Sequence, residues 1–400
     1  VVPTNGDREQ PEGGHVDLTF TEEQDLLRAT VRDLCQKHSS PEIVRQLEGD
    51  PMGYRPELWT ELAATGLLGL TIPDAEGGAG LTALELVVAY EEFGRALCWS
   101  PHFTSGVIGA SVIGQGSDEQ RAEWLPRIAS GQVVLTAAWL EPERGCGPEG
   151  VQTAAEWDGD GFRVTGTKML VPFASSATHL LTLVRTGAGE RDIDLLLIEA
   201  GSAGIRVEPL TAMAHDAEAF VHCDGVRVPA GARLGDEGEG WRIWEEAATD
   251  GLIALAGYAV GGAARAHELS VEYAKEREQF GRAIGSFQGL AHPLAEMAVE
   301  VEGARTLAYE AAWARAMGRS ASTLAAMAKL YAADVYRRAT KLGHQVFGGI
   351  GFTTDIDMQL YFRRAKQLEL TWWDPKYLEQ RVAAAELDAE TPFVSIEAGS

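Results

Sequence analysis

The chain has 400 residues, 45% of them hydrophobic and 23% charged, which is the balance of a globular protein with room for two or three domains. A net charge of -25 excludes nucleic-acid binding, which rests on Lys and Arg neutralising phosphates, and any anionic ligand must be met by local basic groups. The four cysteines, Cys35, Cys98, Cys146 and Cys223, fall at no metal-ligand spacing, so free thiols in a reducing cytoplasm and no metal centre are expected.

No uninterrupted apolar run approaches the roughly 18 residues of a membrane helix, and no basic-then-apolar signal sequence is present at the start. Residues 1–16 read as a disordered leader and 386–400 as a disordered tail. From Phe20 to about Ser130 the pattern is helical. Thr21-Glu-Glu-Gln is a capped start, with Leu26, Leu27, Val31 and Leu34 on one face. Pro56 opens a further helix, Gly77 to Gly80 forms a flexible loop, and Ala83 to Phe93 is helical again. Near Val133 the period shortens. Val133 to Trp139, Phe162 to Met169 (with a Gly turn), Leu180 to Val184, Ile193 to Ile198 and Ala219 to Val228 read as strands of a β-rich middle domain. After Gly235 to Gly240, Trp241 begins helices that continue to about Ala385. The expected division is therefore 17–130 helical, 131–240 β, and 241–385 helical.

Within the last domain, Arg277-Glu-Gln-Phe280-Gly281, Gln288 and His344-Gln345-Val-Phe347-Gly348-Gly349-Ile-Gly351-Phe352 form an ordered set. Taken singly, Arg277 reads as a solvated helix-end charge and Gly348-Gly349 as a helix stop. Together with the helix–β–helix order, the set resembles the acyl-CoA dehydrogenases over residues 17 to 385. The resemblance implies an α+β, mainly α fold: an N-terminal helical domain, a middle β-barrel-like domain and a C-terminal four-helix bundle. It further implies that Arg277, Phe280, Gln288, Gln345, Gly348 and Gly349 grip the diphosphate and adenosine end of an FAD belonging to a neighbouring subunit. Arg presents a planar fork of donors to a diphosphate, and Gly lets the backbone approach it.

The departures narrow the expectation. The family's flavin loop, Thr-Glu-Pro-x-x-Gly-Ser-Asp, is here Leu140-Glu141-Pro142-Glu143-Arg144-Gly145-Cys146-Gly147, and its Trp-Ile-Thr-Asn strand is Leu170-Val171-Pro172-Phe173. Dehydrogenation needs a carboxylate within reach of the substrate α-proton while hydride leaves the β-carbon for the flavin. One family position for that Glu is Trp372, followed by Trp373-Asp374; the other is Gly251, one residue from Asp250. This pattern resembles the non-catalytic subunit of a heterotetrameric (α2β2) acyl-CoA dehydrogenase of actinobacterial sterol side-chain degradation. That resemblance implies a base-bearing homologous partner, a steroid-derived acyl-CoA and electron-transfer flavoprotein as acceptor. Two alternatives stay open: a self-sufficient homotetramer with Asp250 as displaced base, and a flavin-free binding or structural homologue. Blander readings also stand beside these. Thr249-Asp250-Gly251 reads as a cap or turn, Glu245 and Glu246 as solvated charges, Glu369 and Asp374 as surface or interface groups, and His344 as a satisfied buried histidine. Trp372 and Trp373 read as packing.

Overall fold

The computed structural model describes residues 20–189 and 192–388. The expected leader lies outside these residues, as does all but the first part of the expected tail. The N-terminal layer comprises α1 (Glu22–His38), α2 (Pro41–Leu47), α3 (Pro56–Ala64), α4 (Ala83–Arg95), a π-helical stretch Phe103–Gly109 running into α5 (Ala110–Ile113), and α6 (Asp118–Ala129). Sequence chemistry sets the starts. Thr21, Thr82 and Ser117 each complete a capping box with the residue three positions on, and Pro56 occupies the first turn of α3.

The middle domain holds β1 (Leu135–Ala138), β2 (Ala154–Trp157), β3 (Gly161–Pro172), β4 (His179–Arg185), β5 (Ile193–Glu199), β6 (Ile205–Thr211), β7 (Ala217–Pro229) and β8 (Arg233–Leu234). They form one sheet in the order β6-β7-β3-β2-β4-β5-β8, with β1 parallel to β4. On β4 and β5, Leu181, Leu183, Ile193, Leu195 and Leu197 join the core shared with the helices, while Leu180, Val184, Leu196 and Ile198 enter a separate core within the β domain. Burial on both faces explains why these strands read as continuous apolar runs. Three corrections follow. Gly166 marks a β-bulge between Val164 and Gly166 inside a continuous β3, not a turn. The sequence pattern also passed over β2, only four residues long, and β6, no residue of which is fully buried.

The C-terminal layer is α7 (Gly240–Glu276), a hairpin of β9 (Glu278–Gln279) and β10 (Arg282–Ala283), then α8 (Gln288–Ala316), α9 (Ser322–Phe347), α10 (Met358–Leu370) and α11 (Pro375–Leu387). The helical layer thus runs to Leu387, past the expected boundary at 385. α7 is long and apolar enough to cross a membrane by length and composition, but 94% of its apolar window is buried against α4, α8, α9 and the sheet, which is where a core helix sits. Thr249-Asp250-Gly251 lies in the middle of this unbroken helix, so the cap or turn reading of that triplet is wrong.

Candidate functional site

The two regions singled out from the sequence lie in contrasting surroundings. The first is the cleft where the sheet meets the helical layers. Trp373 is 1% exposed and Trp372 7% exposed. Their rings meet Trp139, at 5.3 Å from Trp373 and 6.2 Å from Trp372; Trp373 also meets Trp244 at 5.8 Å, and Trp372 packs edge-on to Phe103 at 4.6 Å. A side chain begun at Gly251 would meet Ile108, Phe103 and Trp373. Both positions at which a base was sought therefore open onto aromatic and aliphatic carbon.

Asp250, one residue away, points elsewhere, because adjacent helical positions diverge by about 100°. Its carboxylate accepts from Arg315 Nε at 2.7 Å and Arg315 Nη2 at 3.0 Å, and from the Ser111 hydroxyl at 2.7 Å. Arg315 also pairs with Glu246, which is therefore not a free solvated charge. These residues line a cleft with Ile72, Pro73 and Leu86, on a side of α7 that Trp372 and Trp373 do not line. The carboxylate is spent on a bidentate guanidinium pair. Nothing in the sequence linked Asp250 to Arg315, 65 residues on.

The loop residues facing the aromatic cluster are likewise occupied. Leu140 packs on the main core, and the Cys146 thiol donates to Asp374 at 3.3 Å. The Pro172 carbonyl accepts from Thr136. Glu141 is engaged within the protein as well. Its Oε1 accepts from the fully buried Lys168 at 2.7 Å and from the Gln152 and Thr153 amides at 3.0 and 2.9 Å. Burial acts to raise the Glu141 carboxyl, but the Lys168 charge and these hydrogen bonds outweigh it and hold the group below the usual carboxylate range. Asp374 is the N-cap of α11, accepting from the Lys376 and Tyr377 amides, and Glu369 pairs with Arg337 and Lys366. Neither is a simple surface charge.

The second region is open. Phe280 sits at the tip of the β9–β10 hairpin with a positive φ of 56° and 92% exposure. Arg277, Gln288, Gln345, Gly348 and Gly349 are also exposed. Among the described residues the Arg277 guanidinium has no hydrogen-bond or ion-pair partner. A Cβ at Gly281, Gly348 or Gly349 would meet nothing within 4 Å. The hairpin and the glycine segment are joined from beneath, where Tyr273 stacks on Phe347 at 4.4 Å. Behind them His344, 6% exposed, lies between Phe352 (stacked, 4.7 Å) and Phe362 (4.8 Å), with its Nδ1 lacking a protein partner, so its hydrogen bonding is not complete as expected. Thus the structure brings Arg277, Phe280, Gln345 and Gly348-Gly349 onto exposed, linked segments and leaves Asp250 and Trp372 elsewhere. For a flavin dinucleotide the fit differs between the two regions. The cleft offers packed indoles, whereas the exposed segment offers an unpaired guanidinium, an exposed ring and open glycine backbone.

Three family models match the chain in succession: the acyl-CoA dehydrogenase N-terminal domain over residues 21–132, the middle domain over 136–224 and the C-terminal domain over 238–371. The chain is 32% identical to the probable acyl-CoA dehydrogenase YngJ of Bacillus subtilis over 369 residues, covering 89% of this chain and 95% of that one. Its fold matches a chain of the ChsE4-ChsE5 complex from Mycobacterium tuberculosis with a TM-score of 0.84 at 29% identity, covering 94% and 100% of the two chains. It matches the steroid ACAD Tcur3481-Tcur3483 with a TM-score of 0.81 at 31% identity, covering 90% and 97%. The three-domain architecture, the three successive domain matches and the relative covering 89% of the chain agree: the chain belongs to the acyl-CoA dehydrogenase family, flavoprotein oxidoreductases acting on acyl-CoA thioesters, for which FAD is the implied cofactor.

Proposed function

We propose that this chain is the non-catalytic subunit of a heterotetrameric acyl-CoA dehydrogenase, completing the FAD site of a homologous partner that carries the base. One observation carries the reading. The two family base positions are Gly251 and Trp372, and Asp250 is held by Arg315, while Arg277, Phe280, Gln288, Gln345, Gly348 and Gly349 are exposed and Arg277 lacks a partner among the described residues. When bound, FAD would accept the hydride that leaves the β-carbon as the partner's carboxylate takes the α-proton. This chain's residues would supply binding. Arg277 neutralises diphosphate charge, Phe280 packs on the cofactor, Gln288 and Gln345 hydrogen-bond it, and Gly348-Gly349 let the backbone approach. In a chain of net charge -25 that local guanidinium is what makes a dianionic group tolerable.

The likeness to the ChsE4-ChsE5 complex and to a steroid ACAD supports a two-chain assembly and a bulky, steroid-derived acyl group; electron-transfer flavoprotein as acceptor rests on the family resemblance. The homotetramer reading with Asp250 as base gains nothing from a carboxylate already held by Arg315. The test is flavin content and acyl-CoA turnover of this chain alone and co-expressed with a base-bearing homologue. The expected outcome is a colourless, inert chain alone and about half an FAD per chain in an active pair, with most of that flavin lost in Arg277→Ala. Full flavin and turnover in the isolated chain refutes the proposal. A pair without flavin points to the binding or structural homologue.

A further inference from the structure

The turn between α10 and α11 carries two consecutive non-glycine residues in the left-handed region, Trp372 at φ 52° and Trp373 at φ 69°. Such conformations are costly for bulky side chains and persist only where the surroundings over-determine them. What surrounds them is an unusual cation. Lys329, on α9, is 1% exposed. Its Nζ donates to the backbone carbonyls of Glu369 at 3.3 Å, Thr371 at 3.2 Å and Trp373 at 2.9 Å. Among the described residues it has no carboxylate at ion-pair distance.

All three ammonium N–H groups are thus spent on one turn. The Glu369 and Thr371 carbonyls lie at the C-terminal end of α10, where the helix leaves acceptors unpaired and favours positive charge. The far side of the turn is tied as well, since Asp374 caps α11 and accepts from the Cys146 thiol of the β-domain loop. The result is that two indoles stand against Trp139, Trp244 and Phe103.

We propose that Lys329 is a positioning residue that holds the Trp372-Trp373 turn as a plug in this chain's own cleft, closing it to acyl-CoA. The inference rests on the reading above that this cleft is non-catalytic, and it adds what keeps the cleft shut. Burial presses the Lys329 ammonium down to about 7, opposed in part by the nearby Asp374 and Glu369 charges, and the three carbonyls accept its hydrogen bonds. Replacing Lys329 by Met removes a buried charge and strands three carbonyls. The carbonyls regain partners only if the turn opens to water.

The test uses the full chain without partner or flavin, with two readouts: amide hydrogen exchange, and octanoyl-CoA binding by equilibrium dialysis. In Lys329→Met, amides from residue 370 to 374 are expected to exchange at least about tenfold faster while those of α7 and α9 keep their protection. Octanoyl-CoA, excluded by the wild type, should bind. Trp373→Gly keeps the lysine and removes one ring, and it should bind octanoyl-CoA too. Unchanged protection of the turn in Lys329→Met, or protection lost only together with that of α7, overturns the proposal. So does a folded Trp373→Gly chain that does not bind the ligand. If Lys329→Met does not fold, the Trp373→Gly arm decides. Because both tryptophans stay intact in the flavin-content experiment, that result is independent of this one.

Discussion

Asp250 is where stability and catalysis give opposite expectations for one substitution. Asp250→Asn removes the charge from a pair in which Arg315 contributes hydrogen bonds of 2.7 and 3.0 Å. Severing a fully buried pair costs about 3–5 kcal/mol, and an exposed one about 0–1 kcal/mol. The two side chains are 19% and 29% exposed, which places the loss between these limits, at about 1–3 kcal/mol after solvent screening. Glu246 still partners Arg315, which favours the lower end. The assay is a urea midpoint for the isolated chain, together with the rate of flavin reduction by acyl-CoA in the assembled pair. The expected result is a lowered midpoint with a reduction rate within about twofold of wild type, since the chemistry lies with the partner's carboxylate. Arg315→Met should lower the midpoint as well, and the double variant should lose less than the sum, by about 1 kcal/mol. The reasoning is refuted if Asp250→Asn leaves the midpoint unchanged and abolishes flavin reduction, because a displaced base behaves that way and a structural ion pair does not.

Other expectations follow from the same geometry. Glu141→Gln leaves the fully buried Lys168 without its carboxylate and should cost about 3–5 kcal/mol, read as a denaturation midpoint; an unchanged midpoint would show the pair to be dispensable. Glu218 is pushed up to about 7 by burial, reinforced by the neighbouring Asp216 charge. A raised folded value means that its contribution is fully present below the unfolded pKa of 4.5 and is lost as pH rises to about 7. Glu218→Gln should therefore match wild type near pH 4.5 and exceed it in stability by up to about 3 kcal/mol at pH 8, measured as melting temperature against pH. A constant difference across that range would contradict it. Phe280→Ser removes a ring that is 92% exposed in the single chain, so it should leave the chain's own melting point within about 1 °C. Yet it should weaken flavin retention in the pair, and equal retention would remove Phe280 from the cofactor contact.

Much of this protein was legible before any coordinates. The capping residue Thr21 and the helix-opening Pro56 mark helix starts through local chemistry alone. The apolar runs of β4 and β5 announce strands buried on both faces, because each side chain must enter one core or the other. The absence of a carboxylate at 251 and 372 is a fact of composition at a position, and it too needed no structure. Where sequence reasoning failed, the deciding contact was distant. Asp250 reads as a cap or a base until Arg315 arrives from α8, and Glu141 as one residue of an altered flavin loop until Lys168 is placed beside it. Lys329 is an unremarkable residue of an amphipathic helix until the carbonyls of residues 369, 371 and 373 are gathered around it. Periodicity reports which face of an element is buried. It does not report which polar group on another element meets that face, and in a low-dielectric interior that partner decides whether a charge is structural or free to react. The sequence alone therefore carried the family, the domain order and the absence of a carboxylate at positions 251 and 372. Only the tertiary structure decided which remaining charges are spent and which rings Trp372 and Trp373 meet.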